Sequence, residues 1–204
     1  MKPHDTTAIV LSAGYSSRMG AFKPLLRLGR QTVLDRIIGL FRSAGVEDVR
    51  VVVGHRCEDL KPCVEKWDVG WIFNENYRDG MIASVKAGVA GIGADREAFF
   101  LLPVDIPLVR THTLLQLIEA YRSRGSGIVY PTFRGKRGHP PLISARYAKE
   151  IVRWTGSGGL RSFLKEKEID AVNVAVEDEH ILLDMDTQAD YEIILQRWAA
   201  HDVS

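Results

Sequence analysis

Residues 8–26 read AIVLSAGYSSRMGAFKPLL: four apolar residues, then a loop with two glycines, two serines in tandem and the basic side chains Arg18 and Lys23. An unbroken apolar run ending in a glycine-rich turn reads as a strand buried on both faces and feeding a βα loop. Parallel sheets bind ligands beyond the carboxyl ends of their strands, where glycines let backbone N–H groups turn toward phosphate oxygens. Arg18 and Lys23 would add charge to the same phosphates. The same turn also serves as a plain connection carrying two exposed cations, so the loop alone leaves both readings open.

Spacing excludes two familiar phosphate loops. Five residues separate Gly14 from Gly20, and Lys23 is followed by Pro24, whereas a Walker loop needs four residues and then Lys-Ser or Lys-Thr. A dinucleotide fingerprint needs G-x-G-x-x-G and an acid near the end of the second strand, where this chain has Gly54 and His55. Recognition of the NAD type is therefore not expected.

Working outward, apolar runs alternate with segments of helical period. Strands are predicted at residues 8–12, 49–54, 69–73, 98–104, 127–131 and 171–174, with a short one at 181–183. Val33, Leu34, Ile37, Ile38, Leu40, Phe41 and Ala44 form one helical stripe, with Thr32 placed to cap its start and Gly45 to end it. Tyr191, Ile194, Leu195 and Trp198 form another in the last helix. The alternation implies an α/β fold, a three-layer αβα sandwich on a Rossmann-like, mostly parallel sheet. It weakens after Pro131, where FRGKRGHPPLIS reads as a hairpin or loop excursion. No linker composition interrupts residues 1–204, which are read as a single domain.

Composition narrows the function. Among 204 residues, 27 are basic and 26 acidic, and a formal charge of +1 gives no general attraction for nucleic acid or anionic membrane. The longest apolar runs, such as residues 99–104, fall far short of the roughly 20 residues needed to cross a bilayer. The opening MKPHDTTAIVL lacks the apolar stretch of a signal peptide, so a cytoplasmic protein is expected. Cys57 and Cys63 have neither redox nor zinc spacing and read as reduced and structural. None of the six histidines has metal-ligand spacing.

Asp105 follows its strand directly, which puts it at the same sheet edge as the glycine-rich loop. Alone it reads equally as a turn acid. Asp184 and Asp186 precede the last helix, where Asp186 or Thr187 can serve as its cap.

LSAGYSSRMGAFKPLL at 11–26 resembles the signature L-x-[AG]-G-x-S-x-R-M-G-x-x-K of nucleotidyltransferases that activate phosphorylated acceptors. NENYRDGMIASVKAG at 74–88, PVDIPLV at 103–109, GKRGHPPLI at 135–143 and DMDTQADY at 184–191 follow in the same order. Within that superfamily the chain most resembles the MobA-like molybdenum cofactor nucleotidyltransferases, and among these the cytidylyltransferase branch.

The resemblance implies transfer of CMP from CTP to the terminal phosphate of a molybdopterin-type acceptor, with pyrophosphate released and a molybdoenzyme as possible recipient of the product. It assigns Arg18 and Lys23 to the transferred phosphate and Mg²⁺ to Asp105 and Asp186, with Asp184 as the competing ligand. Nucleotide binding falls to Leu11, Ser12, Ala13, Gly14, Ser16, Ser17, Gly20, Gly80 and Ser84. Relatives that use guanine usually have Gly at the position of Ala13, so its methyl group favours the smaller pyrimidine. Acceptor binding falls to Arg137, Gly138 and His139, while Arg134 and Lys136 read equally as solvated charges. The alternatives are GTP in place of CTP, a sugar or alcohol phosphate as acceptor, and a module that binds nucleotide or cofactor without turnover.

Overall fold

The computed structural model describes residues 2–15, 19–93 and 95–201. Arg18, Ser16 and Ser17 lie outside the described residues.

The first strand, β1 (Thr6–Ser12), is buried along its whole length. It lies between β4 (Asp48–Val53) and β6 (Ala98–Pro103), both parallel to it. The register sets Ser12 opposite Val53 and Leu11 opposite Pro103, so three strands end at one edge. β5 (Gly70–Phe73) extends the sheet on one side. On the other side come β9 (Leu142–Ser144), β7 (Ile128–Phe133) and β10 (Ala171–Ala175), giving the order β10-β7-β9-β6-β1-β4-β5. β8 (Lys136–Arg137) pairs with β7 as a small hairpin, and β2 (Arg27–Leu28) with β3 (Gln31–Thr32) makes a separate ribbon.

Alternation along β1 divides the core. Ala8 and Val10 face one apolar cluster, shared with α1 (Val33–Ser43), α2 (Cys57–Trp67), α4 (Thr111–Arg124) and α7 (Gln188–His201). Ile9 and Leu11 face another, shared with α3 (Met81–Ala90), α5 (Ala148–Arg153) and α6 (Gly159–Glu166). This is the expected three-layer α/β sandwich. Gly88 lets α3 settle on the sheet, since a Cβ there would meet Ile9 Cγ2 at 2.6 Å and Val52 Cγ2 at 3.0 Å.

The start of α1 is a reciprocal cap: Asp35 N donates to Thr32 Oγ1 at 3.0 Å, and Thr32 N to an Asp35 carboxylate oxygen at 3.0 Å. Gly45 follows the helix at φ 77°, as its position predicts. The other Asp35 oxygen accepts from Lys66 Nζ at 2.8 Å and Trp67 Nε1 at 2.7 Å, tying α1 to α2. Both cysteines are free; burial, with the Asp35 carboxylate beside it, pushes the Cys63 thiol up to about 12.

One expectation needs correction. Residues 181–183 are not a strand: Glu179–Leu182 forms a 3-10 turn whose start is held by Asp178, an acceptor for His180 N at 3.2 Å. The excursion after Pro131 is a hairpin, β7 with β8, as read from the sequence, and its end, β9, inserts antiparallel between β6 and β7. No helix among the described residues is long and apolar enough to cross a membrane.

Candidate active site

A cleft of about 330 Å³ opens beyond the carboxyl ends of β1 and β6. Leu11, Ser12, Ala13 and Gly14 form one wall, Gly80 and Ser84 another, and Lys23 and Asp105 lie at its polar end. These sequence-predicted residues therefore meet in one place. Gly20 is exposed, adopts φ 67° and does not line the cleft.

Neighbouring strands hold the first wall. Val104 N donates to Leu11 O at 3.0 Å, and His55 N to Ala13 O at 3.2 Å. The Ser12 hydroxyl is buried and has no hydrogen-bond partner among the described residues. Ser84 Oγ accepts from the buried Asn74 Nδ2 at 3.0 Å, which fixes it on the first turn of α3.

Lys23 stands on a short 3-10 turn, Lys23–Leu25, and its side chain is 10% exposed. Its ammonium donates to Asp186 Oδ1 at 2.7 Å and to Asp105 Oδ2 at 3.4 Å. Burial raises the Asp105 carboxyl above the usual aspartate range; Lys23 opposes this and the Asp186 charge adds to it. The Asp186 carboxylate faces Lys23 while a different pair of side chains caps α7. Thr187 N donates to Asp190 Oδ2 at 2.7 Å, and Asp190 N to Thr187 Oγ1 at 3.2 Å. Asp184 is exposed, and no bond joins it to Lys23. Met185 N donates to Asp105 O at 2.8 Å, which fastens the two acidic segments together.

A second cavity of about 690 Å³ shares Leu11, Met81 and Pro103 with the first. Arg137, Gly138 and His139 line it, as the sequence predicts. His139 N donates to Ile181 O at 2.9 Å, and a Cβ on Gly138 would overlap that carbonyl, so the backbone at Gly138 must remain bare. Burial holds the His139 imidazole below the usual histidine range, against the pull of Asp105, and its Nδ1 has no hydrogen-bond partner among the described residues. Arg137 is less free than expected. Its guanidinium bonds both Glu168 carboxylate oxygens at 2.8 and 2.5 Å and Asn173 at 2.7 Å, and lies 4.2 Å from the Tyr130 ring centre. Arg161 and Lys165, one turn apart on α6, also line this cavity and form no ion pair among the described residues.

Sequence reasoning missed those two, together with Tyr15, Tyr77, Arg78 and Met81 in the first cleft. Tyr77, Arg78 and Met81 lie inside the motif at 74–88 and were within reach. Arg161 and Lys165 carry the only hint of their segment, like charges at i and i+4 on a helix, a spacing that destabilises unless an anion is near.

Residues 8–172 match the model of the MobA-like NTP transferase domain. The chain belongs to that family. Over 191 residues it is 29% identical to the molybdenum cofactor cytidylyltransferase of Escherichia coli (strain K12), covering 93% of this chain and 95% of that one. A nucleotidyl transferase from Methanothermobacter thermautotroptrophicus superposes with a TM-score of 0.83 at 24% identity, over 96% and 98% of the two chains. A Mycobacterium tuberculosis H37Rv protein in complex with manganese does so at 0.76 and 23%, over 94% and 98%. Both structural likenesses speak for the fold. As a MobA-like NTP transferase, the protein is a nucleotidyltransferase with the glycine-rich loop, Lys23 and two carboxylates at one sheet edge.

Proposed function

We propose that this protein transfers CMP from CTP to the terminal phosphate of a molybdopterin-type cofactor and releases pyrophosphate. The observation that carries the reading is the Lys23 ammonium held between Asp105 and Asp186 at the mouth of the cleft built by residues 11–14. Its similarity to the Escherichia coli cytidylyltransferase supports the choice of base and acceptor.

Two carboxylates within reach of one point suit a hard divalent cation, and Asp105 and Asp186 would hold Mg²⁺ or Mn²⁺. No group of three or more His, Cys, Asp or Glu converges among the described residues, so phosphate oxygens and water would complete the shell. The bound cation would neutralise charge on the triphosphate.

The protein's own groups do the rest. Ser12, Ala13 and Gly14 hold the base, and Ser84 fixes the opposite wall. An acceptor phosphate oxygen forms the new bond to the α-phosphorus as the bond to the β-phosphate oxygen breaks and pyrophosphate leaves. A phosphate monoester, with its second pKa about 6, is already ionised at neutral pH, so no general base is required. Catalysis is then alignment of two anions and neutralisation of their charge by Lys23, Arg18 and loop amides. In the second cavity, His139, Arg161 and Lys165 receive the acceptor.

Purified protein incubated with MgCTP or MgGTP and molybdopterin, followed by mass analysis, tests this. The cytosine dinucleotide of the cofactor is the expected product. A guanine dinucleotide would replace the base assignment, and a product only with sugar or alcohol phosphates would replace the acceptor.

A further inference from the structure

Arg137 lines the second cavity, yet Glu168 meets its charge, and the proposed function leaves it without a task. Its posture follows from the sheet. β8 sets Arg137 opposite Thr132 of β7, on the same face as Tyr130 two residues earlier. β10 holds the other side of β7 and sets Asn173 opposite Tyr130. To reach Asn173 the Arg137 side chain therefore crosses β7, and its guanidinium comes to rest 4.2 Å from the centre of the Tyr130 ring.

The guanidinium is pinned by its edge. Nε donates to Asn173 Oδ1 at 2.7 Å, and the two Nη atoms donate to the two Glu168 oxygens at 2.8 and 2.5 Å. These bonds lie in the guanidinium plane, so the group is held flat with tyrosine behind it. The side chain is still 34% exposed, and Tyr130, Arg137 and Glu168 all line the cavity. A phosphate arriving here would compete with Glu168 for N–H donors and be repelled by its charge. A flat ring meets no such conflict, because heterocycles stack on guanidinium planes. Leu160 and Leu164 of α6, with Pro141, line the same cavity with apolar surface, against which sugar hydroxyls would lose their water partners.

We propose that the Arg137 guanidinium, laid on Tyr130, is a stacking platform for a planar heterocycle of the acceptor. Arg137 is then a specificity-determining residue that disfavours sugar and alcohol phosphates, and Glu168 and Asn173 are its positioning residues. The inference rests on the proposed function for placing the acceptor in this cavity, and it leaves the acceptor's phosphate to His139, Arg161 and Lys165.

Pterin, a fluorescent bicyclic ring without a phosphate, is the probe. Its absorbance and emission are followed on titration with wild type, Arg137→Lys and Glu168→Ala, with no nucleotide present. Wild type should bind saturably, with the loss of absorbance that accompanies stacking. Arg137→Lys keeps the charge but not the plane, and should weaken binding about tenfold or more, the scale of losing one stacking partner. Glu168→Ala leaves the guanidinium untethered and should weaken binding about threefold or more, which keeps the test decisive if Arg137→Lys is poorly folded. Glycerol 3-phosphate at equal concentration should not displace the pterin. Equal binding by wild type and both variants would overturn the platform, as would absence of millimolar binding by wild type. Displacement by glycerol 3-phosphate would overturn the specificity. Because CTP is absent, a failed transfer assay counts against the proposed function and not against this result.

Discussion

Lys23 Nζ lies 2.7 Å from Asp186 Oδ1, across 163 positions of sequence, and the same ammonium reaches Asp105. One cation thus holds two carboxylates that would otherwise repel each other at the edge of a buried strand. Removing Lys23 leaves two neighbouring carboxylates without their shared counter-charge, whereas removing either carboxylate leaves Lys23 paired with the other, so each removal has its own signature.

Lys23→Ala should lower kcat about 10²-fold or more, because losing one donor aimed at a developing charge costs about 2.7–4 kcal/mol. The circular dichroism spectrum should not change. Steady-state pyrophosphate release measures the effect, and wild-type turnover in the variant removes Lys23 from the chemistry.

The metal assignment separates two neighbouring acids. Asp105→Asn and Asp186→Asn should each lose most activity and regain part of it at high Mg²⁺ or Mn²⁺. Asp184→Asn, at an exposed position outside the Lys23 pair, should stay within a few-fold of wild type. EDTA should abolish turnover, and activity that survives chelation argues against any metal at this pair.

Ala13 is buried in the cleft wall, where the proposed function places the base. Ala13→Gly should raise kcat/KM for GTP relative to CTP by about tenfold to 200-fold, the range open to a single methyl contact of about 1–3 kcal/mol. The ratio is read at one magnesium concentration with acceptor saturating. A wild-type enzyme that prefers GTP reverses the base assignment.

Acid should act through Asp178. Burial alone would raise its carboxyl, but hydrogen bonds from His180, the Arg110 backbone and Thr113 outweigh burial and hold it below the usual 3.8. Its contribution to stability is therefore complete above that value and lost as pH falls through the lower folded value. Asp178→Ala should cost about 3 kcal/mol at pH 7, since it strands several buried donors. The difference from wild type should shrink below about pH 4. Urea unfolding at several pH values measures it, and a difference that stays constant down to pH 2 excludes this role for Asp178.

The sequence displays what is local and periodic. The stripe of α1, the Thr32 cap and the β1 run are read from a few consecutive positions, and the structure agrees. The predicted strand at 181–183 fails because its apolar residues mimic a strand while Asp178 curls the backbone into a turn. β9 is hidden because three residues are too few to show a period, and its place between β6 and β7 is set by distant partners. The choice between Asp184 and Asp186 rests on which residue caps α7, since Thr187 and Asp190 cap it and leave Asp186 to turn inward. Motif order gathers the cleft residues, but nothing along the chain reports that Glu168 neutralises Arg137.

The order in which the site is assembled has a consequence for synthesis. Ribosomes add residues from the amino end, at about 5–20 per second. β1, β4, β5 and β6 are complete by Pro103, so the strands that wall the cleft can pair early. Asp186 and α7 arrive last, and Tyr191 then docks on Arg27 O at 2.7 Å. Until residue 186 is made, the nascent chain lacks the second carboxylate that Lys23 joins.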